Sequence, residues 1–215
     1  MKIIDIFSGG GGLSEGFRID QFQFICHIEK EASACSTLKL RNIYYYLKEI
    51  DNLELYNKYL RKEINFQELI EVIPSYILED VLNLEINEET ILDVFAFIDK
   101  RLNGEHLDGI IGGPPCQAYS TIGRFNNKHK KETDERIYLY EYYVQFLEKY
   151  KPKFFVFENV KGLLSFKDYK DNPLLPMIIE AFDSAGYEVR YEIINAEDYG
   201  AVSYTHLTLP TTPYV

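Results

Sequence analysis

The chain has 215 residues, 46% of them hydrophobic, with 23 Lys and Arg against 34 Asp and Glu, a formal net charge of −11. That length and composition suit one substantial globular domain, no apolar run approaches the ~20 residues of a membrane-spanning helix, and the acidic balance excludes broad attraction to a polyanion. The three cysteines, Cys26, Cys35 and Cys116, are too few for a disulfide framework and lack the paired spacing of a zinc site. Met1-Lys2-Ile3-Ile4-Asp5 has neither the apolar core nor the cleavage site of a signal peptide, so a cytoplasmic protein is expected.

In chain order, residues 2–7 read as a first strand that ends in Ser8-Gly9-Gly10-Gly11-Gly12, before a helix starting near Leu13. A second strand over 22–28 ends at Glu29, and residues 32–40 have helical character. From about 41 to 105 the chain is rich in Leu, Ile, Tyr, Glu and Lys with mostly helical periodicity and one strand near 76–82, and it reads as an insertion. Residues 108–111 form the next buried strand, followed by Gly112-Gly113-Pro114-Pro115-Cys116-Gln117.

Residues 135–150 predict a helix with Ile137, Tyr140, Tyr143, Val144 and Leu147 on one face, stopped by Pro152. Phe154-Phe155-Val156-Phe157 is too apolar for a half-exposed strand and is expected mid-sheet with both faces covered. Asn172 can cap a further helix with Pro173 in its first turn, and Gly186 ends that helix before a strand over 187–194. Strands alternating with helices give an α/β fold, a doubly wound and mostly parallel sheet with a helical insertion.

Glycine and proline after a buried strand project Cys116 from the carboxyl edge of such a sheet, where open α/β folds bind ligands, although an ordinary turn with an incidental cysteine has the same outline. Cys26 and Cys35, in apolar surroundings, read as buried hydrophobes. The glycine loop lets backbone amides approach a ligand at a helix start, and it fits neither a Walker loop nor a standard dinucleotide fingerprint. Glu29, 20 residues beyond Gly9, is placed to accept both hydroxyls of a ribose; loop and acid together favour an adenosine-containing ligand over a flexible turn with an exposed acid. Glu158-Asn159 either brings a carboxyl of raised pKa to the same edge as Cys116 or caps a helix. The basic run Arg124-Phe125-Asn126-Asn127-Lys128-His129-Lys130-Lys131 is a nucleic-acid patch or a solvated loop.

Three blocks occur in one order: Asp5-Ile6-Phe7-Ser8-Gly9-Gly10-Gly11-Gly12-Leu13-Ser14-Glu15-Gly16-Phe17, then Gly113-Pro114-Pro115-Cys116-Gln117-Ala118-Tyr119-Ser120, then Phe157-Glu158-Asn159-Val160. Together they resemble the signature blocks of the DNA (cytosine-5) methyltransferases. Asp134-Glu135-Arg136-Ile137-Tyr138-Leu139 resembles a further block, and Ile194-Asn195-Ala196-Glu197-Asp198-Tyr199-Gly200 the start of another. The resemblance implies the Rossmann-like sheet of S-adenosylmethionine-dependent methyltransferases, S-adenosyl-L-methionine as cofactor, and a cytosine flipped out of double-stranded DNA as substrate. It also implies a monomer without membrane association and a cognate restriction endonuclease as genetic partner. Cys116 is then the nucleophile and Glu158 the acid. Phe7, Ser8, Gly9, Gly11 and Leu13 line the cofactor site with Glu29, and Pro115 and Leu139 lie near it. Asp80 is the candidate for the acid that the family places near the adenine. Gln117, Ser120, Arg124 and Asn159 fall on the substrate side, Asn159 ordering the loop around Glu158, and residues 120–133 form a lid.

After Tyr199-Gly200-Ala201 the family continues with Pro-Gln and an Arg-x-Arg pair that helps hold the cytosine, whereas this chain reads Val202-Ser203-Tyr204-Thr205-His206-Leu207 and contains no later arginine. Those six residues resemble one reading frame of the transposon end sequence used in sequencing-library preparation. Residues 202–215 are therefore expected to be adapter-derived, the target-recognition domain absent, and the fragment inactive. Two other readings stay open: the same chemistry on cytosine in transfer RNA, and a non-catalytic module that binds an adenosine ligand or DNA.

Overall fold

Alternating apolar strands and amphipathic helices leave a sheet with both faces to cover, and the computed structural model, which describes residues 1–115 and 135–200, shows how the chain does so. The strands β1 (Lys2–Ile6), β2 (Gln23–Glu29), β3 (Val81–Asn83), β4 (Gly109–Gly112) and β5 (Phe154–Phe157) form one sheet in the order β3-β2-β1-β4-β5. Every pairing is parallel. The chain winds outward from β1 to β3, then returns to the other side of β1 for β4 and β5, which creates a topological switch point between β1 and β4.

Register fixes what that switch point displays. Ile28, Ile6, Gly112 and Phe157 pair across four neighbouring strands. The residues that follow them, Glu29, Phe7, Gly113 and Glu158, therefore lie along a single carboxyl edge.

The helices are α1 (Gly12–Glu15), α2 (Ala32–Glu49), α3 (Leu53–Leu60), α4 (Phe66–Glu71), α5 (Ser75–Leu78), α6 (Ile91–Leu102), α7 (Leu139–Tyr150) and α8 (Leu174–Ser184). Val94 and Ile98 of α6, Tyr143 and Phe146 of α7, and Ile178 and Phe182 of α8 belong to one core with Ile4, Ile6, Ile28 and Ile110 of the sheet. The expected face packs inward, with Ile137 of the 3-10 turn Glu135–Tyr138 and Tyr140, Tyr143 and Leu147 of α7 buried and Val144 half-buried against the core.

The segment 41–105 is narrower as an insertion than its periodicity suggested. Its first residues extend α2 to Glu49, β3 is a strand of the main sheet, and α6 belongs to the main core. What remains, α3 to α5, closes a separate cluster around Ile43, Leu47, Leu69 and Ile73. Within it α4 starts on a capping box: Asn65 Oδ1 accepts from the Glu68 amide and the Glu68 carboxylate accepts from the Asn65 amide.

Two expectations on the far side of the sheet are corrected. β5 is the edge of the described sheet, and all four of its residues are half-buried instead of covered on both faces. Residues 187–194 form no strand among the described residues; an apolar groove of about 1060 Å³, lined by Phe155, Phe157, Tyr187 and Val189 among others, runs between them and β5. A strand needs a ladder partner, and this segment instead anchors through Tyr187, whose hydroxyl donates to the Pro152 carbonyl at 2.9 Å. Similarly, α8 begins after Pro173, and the Asn172 amide group is spent on Asp168.

Candidate functional site

The loop after β1 is held by its own hydrogen bonds. Ser8 is buried, its hydroxyl donating to the Asp5 carbonyl at 2.8 Å and to the Ile28 carbonyl at 3.3 Å. The Gly9 amide donates to Glu29 Oε2 at 2.7 Å, and the Gly11 amide donates to the Ser8 carbonyl at 3.0 Å. Two of the amides that sequence reasoning offered to a ligand are thus committed internally. Below the loop, the Ser14 hydroxyl donates to the buried Asp5 carboxylate and ties α1 to β1.

Glu29 closes the other side of this edge, its Oε1 accepting from the Glu31 amide at 2.8 Å. Each carboxylate oxygen has a second lone pair, so Glu29 can hold the glycine loop and still accept from ligand hydroxyls. Cys35, one turn along α2, donates its thiol to the Glu29 carbonyl at 3.3 Å. Both Cys26 and Cys35 are buried, and burial pushes both thiols up, so neither serves as a nucleophile.

Between loop and strand ends lies a cavity of about 210 Å³ lined by Phe7, Gly9, Ile28, Glu29, Lys30, Leu84, Glu85, Ile86, Gly113, Pro115 and Leu139. Of the cofactor residues expected from sequence, it includes Phe7, Gly9, Glu29, Pro115 and Leu139. Ser8, Gly11, Leu13 and Asp80 are not in its lining. Gly11 is explained by packing: it has φ +82°, and a Cβ there would meet Leu38 Cδ2 of α2 at 2.8 Å.

Asp80 lies away from this cavity. It precedes β3, on the opposite side of that strand from the cavity, where its carbonyl accepts from the His27 amide and its carboxylate is gripped by Arg101. Burial raises the Asp80 carboxyl, with Arg101 opposing the shift. The acid at the carboxyl side of β3 is Glu85, between the apolar Leu84 and Ile86 on the cavity wall. The missed signal was Leu84-Glu85-Ile86 itself, an acid flanked by aliphatic residues two positions after a short strand.

At the end of β4 the chain passes very close to the end of β5. The Glu158 amide donates to the Gly112 carbonyl at 3.0 Å, and a Cβ on Gly113 would lie 2.3 Å from the Glu158 carbonyl oxygen and 2.8 Å from Glu158 Oε2. Only glycine fits there. Asn159 braces the same turn, donating through Nδ2 to the Pro114 carbonyl at 3.3 Å while its Oδ1 accepts from the Val160 amide at 2.9 Å. Glu158 itself is exposed at the rim, not enclosed by apolar walls. Cys116, Gln117, Ser120 and Arg124, the rest of the run through Lys131, and residues 202–215 lie outside the described residues.

A parallel sheet with a switch-point cavity, a carboxylate laced to the glycine loop and a second carboxylate three strands along the same edge defines an α/β protein of the class that binds ligands at the carboxyl edge. The family model of the C-5 cytosine-specific DNA methylases matches residues 78–203, and the chain belongs to that family. It is similar to the type II methyltransferase M.Bpa9945I of Bacillus paralicheniformis, 38% identical over 93% of this chain and 51% of that protein. M.DdeI of Desulfomicrobium norvegicum is 34% identical over 93% of this chain and 37% of its own length. A crystal structure of a prophage-encoded protein from E. coli, described as a DNA modification methyltransferase, superposes with a TM-score of 0.54 at 25% identity, over 94% of this chain and 43% of that one. The chain spans about half the length, or less, of the curated relatives it matches.

Proposed function

We propose that this protein transfers a methyl group from S-adenosylmethionine to carbon 5 of a cytosine in double-stranded DNA, as the modification partner of a restriction endonuclease. One observation carries the reading: Glu29, Gly113 and Pro115 line one cavity at the carboxyl edge of the sheet, and Glu158 lies beside Gly113 at the same edge, in a chain of the C-5 cytosine family. The residues present fit the cofactor. Glu29 offers lone pairs to ribose hydroxyls, and Ile28, Leu84, Ile86 and Leu139 offer apolar surface to a purine. When bound, S-adenosylmethionine supplies an electrophilic methyl group on its sulfonium sulfur.

The remaining chemistry belongs to the chain. Cytosine carbon 5 is a poor nucleophile until a thiolate adds to carbon 6, and Cys116, the residue after Pro115, supplies that thiolate. Glu158 holds a proton at ring nitrogen 3, which carries the electron pair displaced from the ring as the sulfur–carbon bond forms. After methyl transfer, loss of the carbon 5 proton to a base restores the double bond and expels the Cys116 thiolate. The target must leave the duplex stack at a cost of a few kcal/mol, and Gln117, Ser120 and Arg124, in the segment after Cys116, are assigned to receive it. Asn159 orders the turn at Pro114. The protein acts as a monomer in the cytoplasm.

Calorimetric titration of the 215-residue chain with S-adenosylmethionine is expected to show saturable binding that Glu29→Ala weakens about tenfold or more. No binding by the wild type would contradict the cofactor assignment. Tritiated methyl transfer to mixed-sequence DNA, with transfer RNA alongside, tests the substrate. A chain extended to the length of its relatives is expected to label DNA alone and to lose all labelling with Cys116→Ser. The present chain by itself is expected to label little.

A further inference from the structure

Two of the glycines that shape the loop after β1 lie in the left-handed region, and such a segment is costly to order unless something outside it fixes its course. Glu29 does so from the cavity side. On the opposite side the loop is gripped by a single residue of α2.

Arg41 lies on the face of α2 that also carries Leu38, Asn42 and Tyr45. Its Nε donates to the Gly10 carbonyl at 2.9 Å, and its Nη1 donates to Glu15 Oε2 of α1 at 2.5 Å. The stem of the same side chain covers Gly11, where an added Cβ would meet Arg41 Cδ at 3.3 Å. Glu15 is held in turn by the Tyr45 hydroxyl, and the Arg18 guanidinium stacks 4.6 Å from the Tyr45 ring while donating to Asn42 Oδ1 at 2.7 Å. The guanidinium fork thus joins the Gly10 carbonyl of the loop to the helix that follows it, and neighbouring residues of the α2 face brace its partner Glu15.

We propose that Arg41 is a positioning residue for the cofactor. By fixing the Gly10 carbonyl away from the cavity, it keeps the Gly9 amide on Glu29 and so sets the orientation in which that carboxylate meets the ribose. The argument rests on the cofactor reading given above. Arg41 does not line the cavity, so its effect passes through the loop. Preorganisation of this kind shows in affinity because the free protein no longer has to order the segment on binding.

The test uses the 215-residue chain with Arg41→Met, Arg41→Lys, and Lys48→Met as a control on the exposed last turn of the same helix. Three readouts are taken: calorimetric affinity for S-adenosylhomocysteine, amide hydrogen exchange resolved across residues 9–16, and the thermal midpoint. Arg41→Met is expected to weaken binding about tenfold and to speed exchange at residues 9–12, with the thermal midpoint close to that of Lys48→Met. Arg41→Lys keeps the charge beside Glu15 but lacks the fork, so its affinity should fall between wild type and Arg41→Met. Unchanged affinity together with a lowered midpoint would reduce Arg41 to a structural residue and overturn the proposal. Should the wild type fail to bind, the cofactor reading falls and the cofactor role of Arg41 falls with it, while exchange at residues 9–12 still shows whether Arg41 orders the loop; wild-type binding with unchanged exchange in Arg41→Met overturns the proposal alone.

Discussion

Asp108 immediately precedes β4, yet its carboxylate ties together the amino ends of three strands. Oδ2 accepts from the Lys2 amide at 2.8 Å at the start of β1, and Oδ1 accepts from Lys153 Nζ at 2.6 Å just before β5. The hydrogen bond from Lys153, aided by the Lys2 amide, holds this carboxyl below the ordinary aspartate value. A carboxyl depressed on folding stabilises the native state above its unfolded value of ~3.9, and that contribution is lost as the pH falls through the lower folded value. Asp108→Asn is accordingly expected to lower the urea midpoint at neutral pH and to lower it by less at about pH 3, below the unfolded value of ~3.9. An equal gap at both pH values would assign the effect to shape instead of charge. Residue by residue, the site was legible where its signals are local: Glu29 and the glycine loop are spaced along the chain as they meet in space. Gly11 was legible as a glycine but not for its reason, since Leu38 comes from a helix whose docking the sequence does not reveal.

Elements were harder to read, because strand length and position depend on partners. β3 has three residues, and its register comes from β2, with Asn83 opposite Glu29. A strand expected near 76–82, where β3 is Val81–Asn83, left Asp80 as the candidate and Glu85 unnoticed. The hydrophobicity of Phe154-Phe155-Val156-Phe157 reports burial within the sheet layer, but not whether a strand lies beyond it, and so the edge position of β5 was missed. What joins β5 to β4 from above is α7. The buried Tyr143 hydroxyl lies 3.1 Å from the Ile110 carbonyl and 3.0 Å from the Val156 carbonyl, bridging the two strands that lead into Gly113 and Glu158. Burial pushes this phenol well above its ordinary value, which keeps it a neutral donor. Tyr143→Phe retains the ring and removes the bridge, so a loss of about 1 kcal/mol is expected in urea unfolding, with the secondary structure content unchanged. No loss of stability would mean that ring packing alone holds the two strands in place.

Across the whole molecule the charge opposes the proposed substrate, with a formal net charge of −11. Several cations among the described residues are already neutralised in pairs: Lys30 with Glu85, Lys149 with Asp99, Lys153 with Asp108, and Arg61 with both Glu54 and Glu63. The densest basic run in the sequence is Arg124, Lys128, Lys130 and Lys131. Four such cations acting alone on duplex DNA would give a log–log salt slope of about −3.6. The acidic remainder changes that expectation. At ~0.15 M salt the screening length is ~8 Å and a basic run acts nearly alone, while at ~0.01 M it reaches ~30 Å and the distant carboxylates repel the same phosphates. Lowering the salt should therefore strengthen attraction and repulsion together. Fluorescence anisotropy with a labelled duplex is expected to show weak binding by this chain, with a slope shallower than about half that value. Replacing Lys128, Lys130 and Lys131 by Gln should abolish what binding there is. A full slope near −3.6 would show that the run is electrostatically isolated from the rest of the molecule, and that the net charge says nothing about how the chain meets DNA.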